Sequence, residues 1–174
     1  STGDAEGLVE LLLEKVDAET DRGERASILR EIADTYEKGL KDGDNAFVAW
    51  VQALAEEPAD VRTQNEIERL AGTNVQRWND AITSLNDSVQ ATDEPATKVA
   101  LYVLMGRWYG EKIGRPDFAL PCYSQALQID PASEGALDGT VELYKKAQSF
   151  PELAGMLLRR AEVSTSPTRA RDFR

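Results

Sequence analysis

The sequence predicts an all-α fold, a tandem stack of helix pairs of the α-solenoid kind. Three observations carry the prediction. Apolar residues recur at helical spacing almost everywhere, and no segment alternates convincingly with period two. Turn residues at Asp42-Gly43-Asp44, Gly72-Thr73-Asn74 and Gly114-Arg115-Pro116-Asp117 cut the chain into short rods. Above all, the chain repeats at an interval of 73 residues: Ala33, Tyr36, Ala46, Trp50, Ala53 and Pro58 return without a gap as Gly106, Tyr109, Ala119, Tyr123, Ala126 and Pro131. Small matches small, aromatic matches aromatic and proline matches proline. A fixed period with matched chemistry marks an array in which each unit buries its apolar face against its neighbours.

The elements follow in order. A first helix of about 5–19 carries the stripe Leu8, Leu11, Leu12 and Val16. A second, about 24–41, carries Ile28, Leu29, Ile32, Ala33, Tyr36 and Leu40. The Asp-Gly-Asp turn stops it, and Asp44 is placed to cap the next helix, about 45–56, which Pro58 closes from beyond its end. Residues 60–71 form a shorter, more polar helix, and residues 75–91 one with Trp78, Ile82, Leu85 and Val89. The pattern then restarts: Asp93 precedes Pro95, a cap-then-proline opening for a helix of about 95–113. Residues 118–129 form its partner, with Pro121 expected in the first turn, where its missing N–H is not needed. Helices of about 133–147 and 150–164 follow, the latter opened by Phe150-Pro151.

This gives a single repeat domain of hairpins at about 24–58, 60–91, 95–131 and 133–164. Leu12 and Val16 fall 73 residues before Leu85 and Val89, so helix 5–19 matches the second member of a pair and lacks a partner before it. Residues 167–174 read as a stub that begins another pair. Free-standing arrays carry polar capping elements, so an excised internal fragment of a longer array is the expectation.

Composition narrows the function. The net charge is −11, with 22 acids and 10 bases in residues 1–98 against 9 and 10 in residues 99–174. An acidic body repels nucleic acid and anionic lipid, so neither is an expected partner. Arg159, Arg160, Arg169, Arg171 and Arg174 cluster near the end and read as a solvated helix end. No apolar run reaches the ~18 residues of a membrane span. A single cysteine, Cys122, excludes an intramolecular disulfide, and a cytoplasmic location is favoured.

Within each 73-residue unit the first hairpin carries Ile32-Ala33-Tyr36 or Tyr102-Met105-Gly106-Tyr109 on one helix, then Ala46-Trp50-Ala53-Pro58 or Ala119-Tyr123-Ala126-Pro131 on the other. This resembles the tetratricopeptide repeat (TPR) family. Small residues where two helices cross permit close approach, and aromatics fill the space beside them. The resemblance implies a right-handed superhelix of antiparallel helix pairs. Each strong hairpin has one residue more between its Tyr and the next Ala than the usual unit, which reads as a longer turn. The hairpins at about 60–91 and 133–164 lack the Ala-aromatic-Ala pattern and read as degenerate copies.

Catalytic chemistry has little to work with. The chain contains no histidine, which removes the commonest general base and transition-metal ligand. Cys122 reads as a buried, inert thiol. Acidic pairs such as Glu56-Glu57 and Asp93-Glu94 read as caps and solvated charge. No cofactor, metal or catalytic set is expected. What remains is a surface, and the resemblance implies that first helices of successive hairpins line a peptide-binding groove. The corresponding places are Ser27, Arg30, Asp34 and Glu37 in one strong hairpin, and Ala100, Val103, Arg107 and Gly110 in the other. The candidate groove residues are therefore Arg30, Asp34, Glu37, Val103 and Arg107. Trp108, off the main apolar stripe, joins them as an exposed aromatic anchor, with packing against a neighbouring hairpin as its structural alternative. Trp50 and Trp78 read as core. Asp34 and Glu37 would repel a carboxylate, so no carboxylate clamp is expected. The reading is a non-catalytic scaffold for a protein or peptide, with a basic partner suggested by the acidic first half. The alternative is a structural or oligomerisation segment of a larger repeat protein, with weak self-association.

Overall fold

The structure, a computed structural model, describes residues 1–165. The expected stub at 167–174 lies outside the described residues, with Arg169, Arg171 and Arg174. The chain forms two compact units, the first spanning Ser1–Ser88 and the second beginning at Val89. Among the described residues every regular element is helical.

In the first unit α1 spans Thr2–Ala18, α2 Arg22–Asp34, α3 Gly43–Glu56 and α4 Val61–Ala71; α5, Val75–Ala91, begins there and ends in the second. A π-helical segment, π1, extends α2 over Thr35–Gly39. α2 packs on α1 and α3, and α3 on α4. The crossings are built as the small residues require: Ala26, Ala33, Ala46 and Ala53 are fully buried around Trp50, Ile32 and Leu54. The starts of α2, α3 and α4 are each fixed by an aspartate that accepts an orphan amide: Asp21 from Glu24 (2.9 Å), Asp42 from Asn45 (3.0 Å) and Asp60 from Thr63 (2.8 Å). The cap of α3 is thus Asp42, not Asp44, because Gly43 already belongs to the helix. Trp78 is buried in α5, its indole N–H donating to the Gly72 carbonyl at 2.9 Å.

In the second unit α6 spans Pro95–Arg107, π2 Trp108–Ile113, α7 Pro116–Ile129, α8 Glu134–Ala147 and α9 Phe150–Thr165. α6 packs on α7, α7 on α8, α8 on α9, and α6 touches α8. Here Glu94 and Arg115 sit at the helix starts without a side-chain cap, and Ser133 caps α8 by accepting from Ala136 at 3.3 Å. Asp93 therefore does not cap α6. Pro121 lies beyond the first turn of α7, since the helix begins at Pro116. Its ring leaves the Asp117 carbonyl without an i+4 amide, and both residues are exposed.

The 73-residue period governs boundaries as well as residues. α2 and α6, α3 and α7, and α1 and α5 have the same limits at this offset. So do the cap positions Asp21 and Glu94, Asp42 and Arg115, and Asp60 and Ser133. The extra residue of each strong hairpin is taken up in π1 and π2 rather than by a longer turn alone. The amide of Asp42 reaches back to the Tyr36 carbonyl (2.9 Å) and that of Arg115 to Tyr109 (2.8 Å), each spanning six residues. The residue before each of these amides, Lys41 (φ 54°) and Gly114 (φ 71°), adopts the left-handed conformation that ends the wide turn.

Candidate functional site

The first unit supplies a side-chain lattice where a groove was expected. Arg62, Glu66 and Arg69 lie on one face of α4, spaced four and three residues apart, and meet the face of α2 and π1 that carries the candidates. Arg62 Nη2 donates to Asp34 Oδ2 at 2.8 Å, and Arg69 Nη2 to Glu37 Oε1 at 2.7 Å and Glu66 Oε2 at 2.6 Å. Arg30 donates to Glu57 at 2.8 Å and stands 3.5 Å from Asp60. The Arg62 guanidinium lies 5.3 Å from the ring centroid of Trp50. Glu66 and Glu37 together hold the Arg69 charge above its ordinary range, against partial burial. Arg30, Asp34 and Glu37 are thus brought together, but each is spoken for by an opposite charge from the same unit.

The second unit leaves the equivalent place open. A pocket of about 330 Å³ lies between α6–π2 and α8. Val103, Arg107, Gly110 and Glu111 form one wall. Gly135, Asp138, Gly139 and Glu142 form the other, with Leu143 and Lys146 beyond them. Tyr123 reaches in from α7. Shifting the first unit's lattice by 73 residues explains the opening. Arg62, Glu66 and Glu37 become Gly135, Gly139 and Gly110, while Arg30 becomes Val103 and Arg69 becomes Glu142. Three long polar side chains have been removed from one spot.

The glycines also hold Tyr123. A Cβ on Gly139 would stand 2.2 Å from the phenol Cζ, and one on Gly106 2.6 Å from Cε1. The ring tip is therefore wedged between α6 and α8. Tyr123 is only 5% exposed, and among the described residues no group hydrogen-bonds its hydroxyl. Burial, reinforced by the negative field of Glu111 and opposed by Arg107, pushes its pKa up to about 12. The hydroxyl is thus neutral at physiological pH, able both to donate and to accept. Asp138 accepts from Arg160 at 2.7 Å and Glu142 from Lys145 at 3.3 Å.

The remaining candidates separate cleanly. Val103 and Arg107 line the pocket. Trp108 does not: it is fully buried and presents no anchor. It continues the buried stripe Leu101, Leu104 and Met105 at helical spacing, its amide still bonded to the Leu104 carbonyl four residues back. Cys122 is buried, and its thiol is pushed up to about 11 by desolvation, so it is almost entirely protonated at neutral pH. The lattice residues of α4 and the glycines of α8 were missed in the sequence because both lie in hairpins that look degenerate. The available signal was the 73-residue offset itself, applied to Arg62 and Gly135.

No protein-family model and no curated protein matches the chain. Among solved structures it is similar to the crystal structure of MamA, with a TM-score of 0.53 and 15% identity over 93% of this chain and 90% of that one. MamA is a helical-repeat protein of the tetratricopeptide type, and at this identity the likeness is one of fold. The all-α, tetratricopeptide-like architecture is thereby shown. No helix among the described residues is long and apolar enough to cross a membrane.

Proposed function

We propose that this chain is a non-catalytic scaffold that binds a protein or peptide partner through the pocket between α6 and α8. One observation carries the reading: a buried tyrosine hydroxyl without a protein partner faces a glycine-framed opening, and buried polar groups are ordinarily satisfied. The pocket's size lies at the low end of ligand sites, which suits one side chain of a longer partner. Its walls belong to helices held by packed alanines and leucines, so little ordering entropy is lost on binding. The acidic first half of the sequence would steer a basic partner to the surface, an attraction that salt weakens.

Selection of peptides from a displayed random library against the full chain tests this. Enriched peptides should bind with micromolar affinity, weaken as ionic strength rises, and lose binding to a variant whose pocket is filled by Gly135→Arg. Peptides that bind the filled variant equally well would refute the placement.

A second reading rests on exposed leucines. Leu11 in α1 is 62% exposed and Leu158 in α9 68% exposed, surfaces that suit self-association or a structural role in a larger array. Sedimentation at several concentrations decides it: a strict monomer disfavours this reading.

A further inference from the structure

We propose that the α6–α8 pocket is a receptor for an arginine side chain of the partner, a place that the first unit fills with its own arginines. The inference rests on the scaffold reading and names the chemistry that the pocket selects. The internal copy is the argument. In the first unit the guanidinium of Arg62 lies beside the core aromatic, Trp50, held by Asp34, and Arg69 on the same helix face is held by Glu37 and Glu66. In the second unit the backbone limits are the same, but Gly135 replaces Arg62 and Glu142 replaces Arg69. The guanidinium groups of Arg62 and Arg69 are missing and a carboxylate stands at 142, while Arg107 takes the place of Asp34.

The acceptors for an incoming guanidinium are already present. Tyr123, 5% exposed as a residue, offers a hydroxyl oxygen that nothing in the described chain uses. Glu111, Glu142 and Asp138 add carboxylates at the rim. Of these, Asp138 and Glu142 already accept from Arg160 and Lys145, and Arg107 and Lys146 stand among them. A planar fork of N–H donors can serve a phenol oxygen and a carboxylate together, whereas an ammonium acts as a single point charge. Val103 and Leu143 flank the route inward and suit the aliphatic stem of arginine.

The test is a titration of the full chain, labelled with nitrogen-15, with N-acetyl-argininamide and with the lysine, phenylalanine and glutamate counterparts. The amides of Gly110, Gly135 and Gly139 should shift saturably with the arginine probe, which should bind about tenfold tighter than the lysine probe. G135R restores the residue of the first unit, and it should abolish these shifts. E142Q should weaken them several-fold. Thermal melts of both variants establish that they fold as the parent does. If the phenylalanine or glutamate probe moves the same glycines at lower concentration, the pocket takes another side chain; the arginine assignment is then overturned while the scaffold reading survives. If no probe moves them at its solubility limit, the arginine assignment and the pocket's part in binding fall together. Shifts that persist unchanged in G135R would equally overturn the assignment.

Discussion

The two units share their helix limits and their core, yet one presents a closed lattice of charges and the other an open pocket. Trp50 and Tyr123 occupy the same place, as do Ala46 and Ala119, and Ala53 and Ala126, all of them buried. The groove side is where they part: Arg62, Glu66 and Glu37 against Gly135, Gly139 and Gly110. The comparison separates what the repeat fixes from what it leaves free. Small residues at crossings fix the backbone, whereas the side-chain caps of Asp21 and Asp42 are dispensed with at Glu94 and Arg115. Groove positions make few contacts that the backbone needs, so they can carry self-paired charge or bare glycine without changing the fold.

The largest test of the shared core is truncation of its aromatic. Trp50→Ala should cost about 3–5 kcal/mol in denaturant unfolding, because a fully buried indole leaves a cavity that packed helices cannot close. A loss below ~1 kcal/mol would show that Trp50 is not the wedge that Tyr123 is.

Adding a methyl group separates the units next. Gly139→Ala should destabilise by about 1–3 kcal/mol, since its Cβ would collide with the wedged phenol, whereas Glu66→Ala at the equivalent place of the first unit should cost at most ~1 kcal/mol. Equal costs would break the comparison. Tyr123→Leu in the Gly139→Ala background should recover part of the loss, as expected of residues in contact.

The caps give the next effect and a pH signature. Asp60→Ala and Ser133→Ala, at equivalent positions, should each cost about 1 kcal/mol. Only the first site titrates. Burial alone would raise the Asp60 pKa, but bonds from the Thr63 hydroxyl and amide, with Arg30 and Arg62 nearby, hold it below the ordinary carboxyl value of 3.8. A lowered carboxyl value means that its stabilisation is fully present above the unfolded value and is lost as pH falls through the folded one. Asp60→Asn, which keeps a capping oxygen, should therefore reduce the loss of stability below about pH 4. An unchanged acid transition would remove Asp60 from the account.

The smallest effect belongs to the lattice. Arg69→Ala should cost no more than ~1 kcal/mol and should matter less as salt is added, because its side chain is half exposed. A Glu37–Arg69 double-mutant cycle with a coupling well above that would mean that the lattice organises the first unit rather than merely covering it.

Much of this architecture was legible in the sequence. Helix limits followed from apolar spacing, and the crossings from Ala33, Ala46 and Ala53, because packing of small residues leaves a fixed pattern. Trp108 was placed among the anchors because the apolar stripe was drawn through Tyr102, Gly106 and Tyr109, whereas Leu101, Leu104, Met105 and Trp108 form a second buried stripe at helical spacing, in line with the packing alternative. The cap at Asp42 was missed because a glycine in a turn motif reads as loop, although it opens α3. Val103 and Arg107 were found as groove residues, but Gly135 and Gly139 were not. A helical glycine read alone suggests close packing, and the opening appears only when Arg62 and Glu66 are set beside them.

The recurrence of starts at Asp21 and Glu94, 73 positions apart, has an engineering consequence. The stretch from Arg22 to Glu94 is a cassette whose two junctions are conformationally interchangeable. Copies of it can be spliced head to tail with the caps at Asp42 and Asp60, the wide turn and the left-handed residue arriving on schedule, Glu94 standing for Asp21 at each junction, and each splice multiplies the number of lattices without redesigning a loop.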